Sequence, residues 1–572
     1  MSANKNIFYD LLPTDFNELI RIKLHLRQYV SKLEEDRIDT PSWFLTLDKK
    51  MNKEKVNLIY PVSEDVFIHI LRQEGMERAR YTIIEPTTGH DLRNIVNVLE
   101  NMFAFKMNEE HIYRNLEEKK KVLKNLIDNT LKVDPSINEL ASFRVVGKGK
   151  DSIVLVGEKT KNLLEYLLVR DKIGIGLLEP LIKDPYIEDI SFNGVGPVFV
   201  EHKIFSSCLS SLRFDDPELL DEYIKRLAER VGRPISYRNP IVDGTLPDGS
   251  RINIVYGSDI SKHGTNFTIR KFSKVPISIL QLCLWNTIGY LPAAYLWMLL
   301  EFGISVWVCG ETASGKTTTL NALCAFINPT AKIVSVEDTP EVTVPHENWI
   351  REVTKESEDS ESKIDLFALL KSALRQRPNY IIVGEIRGRE GNVAFQAMQT
   401  GHPVIATFHA STVQKLIQRL TGSPIEVPKT YIDNIGAVII QSAVKVPKTG
   451  KIERRVLSVN EILGYDSLED RFNYIEIFNW DPLTDTFLFR GEGTSYLLEN
   501  KLAVFYGYSK REVRAIYNHL HLRAELLKLL AEAGITDYFD LWYTLKTIKG
   551  LGIERAFELM RQGRLLKVVK RI

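Results

Sequence analysis

The strongest constraint on how this chain can fold is a glycine-rich segment, Gly310-Glu311-Thr312-Ala313-Ser314-Gly315-Lys316-Thr317, which matches the pattern G-x-x-x-x-G-K-[ST] at every fixed position. In such segments, glycines let backbone N–H groups turn inward on phosphate oxygens, the lysine places its charge beside the phosphates, and the hydroxyl ligates Mg²⁺. An apolar, β-branched run at 304–309 predicts a buried strand before the segment, and 318–326 predicts a helix after it. Strand, turn and helix follow in the order that a triphosphate site requires. A flexible loop with two glycines and a lysine is the alternative.

Nine consecutive residues are the predicted nucleotide contacts. They are Gly310, Glu311, Thr312, Ala313, Ser314, Gly315, Lys316, Thr317 and Thr318. Lys316 is expected to lie toward the β and γ phosphates, and Thr317 is expected to ligate Mg²⁺.

Length and charge limit the class of protein. A chain of 572 residues suggests roughly three or four domains. Its 44% apolar and 26% charged residues are ordinary for a globular protein. The net charge is +1, from 75 basic and 74 acidic side chains, so the overall basic footprint of a nucleic-acid motor is missing. We therefore expect no direct contact with nucleic acid, although the net charge does not reveal local basic patches.

The cysteines and the apolar segments favour a cytoplasmic protein. The four cysteines are Cys208, Cys283, Cys309 and Cys324, and none forms a C-x-x-C pair, so neither a zinc site nor a disulfide framework is predicted. Residues 1–7 lack the features of a secretory signal. The long apolar region at 290–308 contains Pro292, Glu301 and Gly303, which favours a buried helix and strand over a membrane span.

Six segments are predicted along the chain. They are an accessory domain at 1–105, a charged helical connector at 106–150, an α+β domain at 151–273, a linker at 274–284, the nucleotide domain at 285–460, and a hairpin with a helical extension at 461–572. In the α+β domain, alternation places Ile252 and Ile269 on the inner faces of two strands. Arg251 and Arg270 then project from the outer faces.

Three further apolar runs each end in a residue capable of chemistry. The run at 333–336 precedes Glu337, the run at 380–383 precedes Gly384 and Glu385, and the run at 404–408 precedes His409. Ligands bind at the carboxyl ends of parallel strands, so these side chains should gather beside the phosphate loop. We assign Glu337 as the base and Glu385 as a magnesium ligand. Because Gly384 stands where an aspartate is usual, the division of labour between the two glutamates stays open.

His409 and His402 allow several interpretations: a metal pair, a catalytic pair, or buried hydrogen-bonded histidines. The position of His409 after a core strand favours a sensor of the γ phosphate. His402 precedes Pro403 at the start of the same strand and should lie at its opposite end.

Together these motifs resemble one known family. The segment 336–341, V-E-D-T-P-E, resembles the aspartate box of the type II/type IV secretion and pilus ATPases. The segment 381–389, I-I-V-G-E-I-R-G-R, resembles their atypical Walker B motif, and 400–410 resembles their histidine box. The similarity covers about 150–460. The Gly-Glu-Ile-Arg-Gly sequence at 384–388 and the missing four-cysteine zinc module place the chain nearest the archaeal pilus and archaellum assembly ATPases.

The resemblance implies an α/β fold with a RecA-like P-loop ATPase core, an α+β N-terminal domain before it, and N-terminal and helical C-terminal extensions. It implies ATP with Mg²⁺ and a homo-hexamer in which arginines close over the nucleotide. The candidates are Arg251 and Arg270 from the N-terminal side, and Arg375, Arg377 and Arg387 from the core. Surface pairing with acids is an equal alternative for Arg377. Residues 274–277 would be the hinge.

The function implied is a hexameric motor, peripheral at the cytoplasmic face of the cell membrane, that powers type IV pilus-like assembly or type II/IV secretion. Its partners would be a polytopic platform protein and pilin-like subunits. A retraction or conjugative-transfer ATPase, and a slow nucleotide-binding scaffold, are the alternatives. Cargo, direction of work and the roles of 1–150 and 461–572 are not encoded in recognisable motifs.

Overall fold

The computed structural model describes residues 12–48, 51–106, 116–147, 149–271, 275–355 and 364–569. Two compact units make up the chain, Met1–Phe272 and Ser273–Ile572. Residues 1–7 and Lys274, on which the signal and hinge expectations rest, lie outside the described residues.

A ten-stranded sheet forms the centre of the first unit. Its strands are β1 Ser42–Trp43, β2 Val56–Pro61, β3 Phe67–Arg72, β4 Ala79–Ile84, β8 Ile187–Phe192, β9 Gly196–His202, β10 Ser206–Phe214, β11 Ile241–Thr245, β12 Arg251–Val255 and β13 Asn266–Arg270, in the order β1-β2-β3-β4-β10-β9-β8-β13-β12-β11. A smaller sheet holds β5 Leu131–Val133, β7 Ile153–Val156 and β6 Phe143–Val146 in that order. The helices are α1 Phe16–Ile22, α2 Leu24–Glu35, α3 Arg93–Lys106, α4 Leu116–Thr130, α5 Glu158–Lys172, α6 Glu179–Lys183 and α7 Pro217–Arg230.

The predicted segment boundaries near 105 and 150 fall inside shared structure. Helices α3, α4 and α5 bury one apolar cluster with the small sheet, which joins residues from three predicted segments. Strand β4 pairs with β10, so the predicted accessory domain and the predicted α+β domain share the large sheet. Alternation of apolar residues predicts a strand but does not specify its neighbour, since partners come from distant parts of the chain.

The second unit contains a nine-stranded sheet in the order β16-β15-β17-β18-β14-β19-β20-β21-β22. The strands are β14 Val306–Gly310, β15 Ile333–Glu337, β16 Trp349–Val353, β17 Tyr380–Ile386, β18 Val404–Phe408, β19 Ala437–Lys445, β20 Ile452–Asp466, β21 Arg471–Asp481 and β22 Thr486–Phe489. The strands from β16 to β19 are parallel, and β19 to β22 are antiparallel. This is the predicted α/β core of RecA-like type, with an antiparallel extension.

Helices cover this sheet. They are α8 Ile279–Leu284, α9 Tyr290–Glu301, α10 Lys316–Cys324, α11 Leu366–Arg375, α12 Glu390–Gln399, α13 Val413–Thr421, α14 Ala503–Phe505, α15 Ile516–Glu532, α16 Tyr538–Leu551, α17 Ile553–Arg561 and α18 Leu565–Val569, with a π-helical turn at Leu497–Leu502. The apolar region at 290–308 is the buried helix α9 followed by β14, as predicted. Among the described residues, no helix has the length and apolar character needed to cross a membrane. The predicted boundary at 460 falls within β20.

Candidate active site

The phosphate loop connects β14 to α10. Every residue of β14 is buried, because parallel strands flank it and apolar clusters cover both faces of the sheet. Ala313 and Gly315 adopt positive φ values of 60° and 92°, which turn the chain tightly before the helix begins. Lys316 is 8% exposed, and its Nζ donates to the Glu311 carbonyl oxygen at 3.0 Å. Burial lowers the pKa of Lys316, and the nearby Glu385 carboxylate opposes this shift.

Glu337, at the end of β15, is almost fully buried, with 1% of its surface exposed. Its Oε1 accepts the backbone N–H groups of Glu341 at 2.8 Å and Val342 at 2.6 Å, and its Oε2 accepts Arg351 Nε at 3.3 Å. Burial raises the pKa of Glu337 to about 7, although the Val342 N–H and Arg351 act in the opposite direction. The side chain therefore fastens the chain that follows β15, and it titrates near neutral pH.

Gly384 has a packing reason to be glycine. A Cβ at this position would lie 3.1 Å from Glu337 Cγ. Glu337 cannot easily yield, because three hydrogen bonds fix its carboxylate. A side chain at this position would therefore require Glu337 to shift by a few tenths of an ångström, so the glutamate of β15 and the glycine of β17 are packed against each other.

Glu385 is the more accessible acid, with 22% of its side chain exposed. Its Oε2 pairs with Arg387 Nη2 at 2.5 Å. His409 Nε2 lies 2.8 Å from Glu385 Oε1, but this buried oxygen has no aligned hydrogen-bond donor among the described residues. Burial and Lys316 lower the pKa of His409, while Glu385 raises it. Thr317 lies half-buried in the first turn of α10. The acceptor Oε1 and the Thr317 hydroxyl offer the oxygen ligands that Mg²⁺ prefers.

A cleft of about 750 Å³ opens beside the loop and His409. Its walls carry three cations, Arg387, Lys415 and Arg419, and one acid, Glu311. The Arg419 guanidinium donates to the His409 carbonyl oxygen and stacks over the Phe408 ring at 4.9 Å. The strand end that carries His409 therefore lies in a positively charged environment, which suits phosphate groups.

The predicted arginines lie in three places. Arg387 lies with Glu385 beside the loop. Arg375 and Arg377 are exposed just before β17, at the amino end of the sheet, so the structure does not bring them to the loop within this unit. Arg251 and Arg270 belong to the first unit, where they are cross-strand partners and pair with Asp243 at 2.6 Å and Asp189 at 3.3 Å.

His402 lies before β18, at the end opposite His409, as the sequence predicts. Its Nδ1 lies 3.1 Å from the Thr400 hydroxyl. The two histidines therefore lie at opposite ends of β18 and do not form a pair.

Comparison with known proteins identifies the family. The model of the family described as Type II/IV secretion system protein matches residues 171–456. The chain belongs to this family. The match confirms the resemblance drawn from the sequence motifs, and it includes the phosphate loop, Glu337, Glu385 and His409.

Relatives of this Type II/IV secretion system protein differ in how much of the chain they match. The protein MJ0900 of Methanocaldococcus jannaschii is 44% identical over 529 residues, which are 92% of this chain and 95% of that protein. The conjugal transfer protein TrbB of Rhizobium radiobacter is 28% identical over 305 residues, covering 52% of this chain and 90% of TrbB.

Several solved structures show a detectable likeness. The ATPase DotB of Legionella pneumophila is 17% identical, and the match covers 66% of this chain and 92% of DotB, with a TM-score of 0.36. The pilus retraction motor PilT, solved with bound ADP, is 21% identical, and the match covers 60% of this chain and 90% of PilT, with a TM-score of 0.35.

Several residues that organise the site escaped the sequence analysis. Gln441 donates a hydrogen bond to the Ser314 carbonyl oxygen in the phosphate loop. Asn321 donates one to the Glu341 carbonyl oxygen. Glu390 accepts the backbone N–H groups of Arg387 and Gly388 at 2.6 and 2.7 Å, which shapes the turn after β17. A signal existed for Gln441, since it follows the apolar run 437–440 as Glu337 and His409 follow theirs.

Proposed function

We propose that the chain is a Mg²⁺-dependent ATPase that works as a motor for type IV pilus-like assembly or type II/IV secretion at the cytoplasmic face of a membrane. One observation supports this most directly. Lys316 and the two acids Glu337 and Glu385 lie at the carboxyl edge of one parallel sheet, together with His409. Transfer of a phosphoryl group to water needs such a combination of charge stabilisation and an acceptor for the water proton.

The roles follow from accessibility. Lys316 would leave the Glu311 carbonyl and turn to the β and γ phosphates. Thr317 and Glu385 would hold Mg²⁺, which would neutralise negative charge on the phosphate groups when bound. His409, beside Glu385, would donate a hydrogen bond to the γ phosphate.

The exposure of the two acids favours Glu385 over Glu337 as the group that acts on the attacking water. Glu337 is 1% exposed and accepts three hydrogen bonds, whereas 22% of the Glu385 side chain is exposed. We therefore propose that Glu385 also orients the attacking water, and that Glu337 holds the adjoining segment in place. Both glutamates are required for turnover under this proposal, for different reasons.

An ATPase assay on the purified full chain tests the activity. Lys316→Ala and Glu385→Gln should each lower kcat by about 10² or more, since each removes charge or proton transfer in the transition state. Exposed residues provide matched controls: Lys528→Ala and Glu347→Gln should keep the wild-type rate. A wild-type chain without ATP hydrolysis, even with lipid present, would refute the ATPase proposal in favour of the nucleotide-binding scaffold.

The motor also needs an assembly. We propose a homo-hexamer in which Arg251 and Arg270 act on the γ phosphate, with a polytopic platform protein and pilin-like subunits as partners. Family membership supports this architecture. Mass photometry with a non-hydrolysable ATP analogue should give six-subunit particles, and Arg270→Ala should lower kcat while ADP affinity stays within about two-fold. A monomer at all nucleotide concentrations would contradict the hexamer.

A conjugative-transfer role is the second candidate, because several relatives carry the name of conjugal transfer proteins. A DNA-linked motor predicts salt-sensitive DNA binding and DNA-stimulated turnover. The net charge of +1 favours the filament or secretion role instead.

Deletion of the gene distinguishes assembly from retraction. Loss of an assembly motor leaves cells without filaments, whereas loss of a retraction motor leaves filaments that stay extended.

A further inference from the structure

Gln441 joins three elements around the phosphate loop. It lies on β19, where its Cα is the parallel partner of Gly310 on β14. The side chain is 1% exposed. Its Nε2 donates to the Ser314 carbonyl oxygen at 2.9 Å, and its Oε1 accepts the Thr319 hydroxyl at 2.7 Å. One buried amide thus connects β19 to the loop and to the first turns of α10.

The bond to Ser314 sets the direction of a peptide plane. In a trans peptide, the carbonyl and the following N–H point to opposite sides. Because Gln441 holds the Ser314 carbonyl toward β19, the Gly315 N–H faces away from β19. Phosphate loops bind through N–H groups that point into the loop. Gln441 therefore fixes the direction of this peptide, and with it the direction of one N–H group of the loop.

Arg454 acts in the same way on the preceding peptide. It lies on β20, beside β19, and its Nε donates to the Ala313 carbonyl oxygen at 3.1 Å. Both side chains also limit the size of the residue at position 315. A Cβ there would lie 3.0 Å from Gln441 Nε2 and 3.2 Å from Arg454 Cδ. Glycine at 315 thus has a packing reason in addition to its positive φ of 92°.

We propose that Gln441, with Arg454 in support, is a positioning residue that holds the phosphate loop ready for nucleotide from behind, without touching the nucleotide itself. This inference rests on the proposed nucleotide-binding function. A structural amide that merely adds stability is the competing explanation. The two differ in whether nucleotide affinity, rather than stability alone, depends on the Ser314 bond.

Two substitutions to apolar residues separate these explanations in the full chain. Gln441→Leu removes both bonds of the amide, and Thr319→Val removes the bond to α10 while the Ser314 bond remains. We expect both variants to lower Tm. We expect Gln441→Leu to raise the Kd for Mg-ADP about 10-fold, equivalent to about 1.4 kcal/mol, and Thr319→Val to change it by less than about 3-fold. Isothermal titration gives Kd together with the fraction of competent sites, so misfolded protein does not mimic weak binding.

Each outcome has one meaning. Equal Mg-ADP affinities for wild type and Gln441→Leu, with a lower Tm for the variant, would overturn the positioning role and leave the structural one. Equal losses of affinity in both variants would also overturn it, because the Ser314 bond would then have no special part. A wild-type chain that binds no Mg-ADP refutes the proposed function itself, which distinguishes the two failures. A smaller loss in Arg454→Ala than in Gln441→Leu is expected, since Arg454 is exposed.

Discussion

Residue by residue, the acidic side of the site depends on how a buried carboxylate packs. Glu337 Cγ occupies the space above Gly384 and would lie 3.1 Å from a Cβ there. Gly384→Ala should therefore force Glu337 or β17 to shift, which costs about 1 to 3 kcal/mol of unfolding free energy, as overpacked cores do. Urea unfolding measures this cost. The control is Gly550→Ala, which has open space around its Cβ and no positive φ. Because Gly550 lies in α16, we expect this control to match or slightly exceed the stability of wild type. Equal stability of Gly384→Ala and wild type would show that Glu337 yields freely.

The titration of Glu337 gives a pH dependence at the same scale. Burial raises its folded-state pKa from 4.5 to about 7. A carboxyl with a raised pKa stabilises the fold fully below pH 4.5, and this contribution is lost as pH rises to about 7. Glu337→Gln should thus become more stable relative to wild type between pH 5 and 8, by up to about 3 kcal/mol. Urea unfolding of both proteins across this range is the measurement, with the exposed Glu347→Gln as control. Parallel stability curves for wild type and Glu337→Gln would contradict the raised pKa.

Between elements, one side chain links the phosphate helix to the segment that holds Glu337. Asn321, on α10, donates to the Glu341 carbonyl at 2.9 Å and accepts the Thr343 N–H at 3.0 Å. Asn321→Leu removes the partner of both half-buried backbone groups, so we expect a loss of about 1 to 3 kcal/mol in stability. If the chain is an ATPase, kcat should fall more than nucleotide affinity, because Lys316 stays in place while Glu337 loses its support. Chemical unfolding, steady-state kinetics and ADP titration test this, with Asn434→Ala as a control amide. An unchanged kcat would remove Asn321 from the catalytic path.

Element by element, the sequence predicts strands and their ends better than it predicts neighbours. The runs before Glu337, Glu385 and His409 are parallel strands, because a buried parallel strand is continuously apolar and its last residue is free to be polar. The pairing of β4 with β10 joins residues that are far apart in sequence, and no local pattern encodes it. The contact between Gln441 and Ser314 depends likewise on the order of strands in the sheet. Arg375 and Arg377 precede the apolar run at 380–383, so the rule that places His402 at the amino end of its strand also places these arginines at the amino end of β17.

In the molecule as a whole, the second unit includes the C-terminal extension as part of its core. Helix α15 packs along α9, and residues of α9, α15 and α16 share one apolar cluster with β14. The buried Glu461 carboxylate accepts the Tyr295 hydroxyl at 2.6 Å and the Ser495 hydroxyl at 2.5 Å, which fastens the extension to α9.

A chain that ends after residue 466 should therefore fail to fold as an independent ATPase core. Truncation would expose the apolar face of α9, and leaving four leucine-sized side chains in water costs about 6 to 12 kcal/mol, comparable with the whole stability of a domain. We expect residues 275–572 to be monodisperse with one cooperative thermal transition by circular dichroism, and residues 275–466 to aggregate. A well-folded 275–466 fragment that binds Mg-ADP as tightly as 275–572 would show instead that the extension is an accessory layer. The extension would then not be needed for folding, whereas a failed fragment means that α9, which packs in one cluster with β14, depends on the extension for its burial.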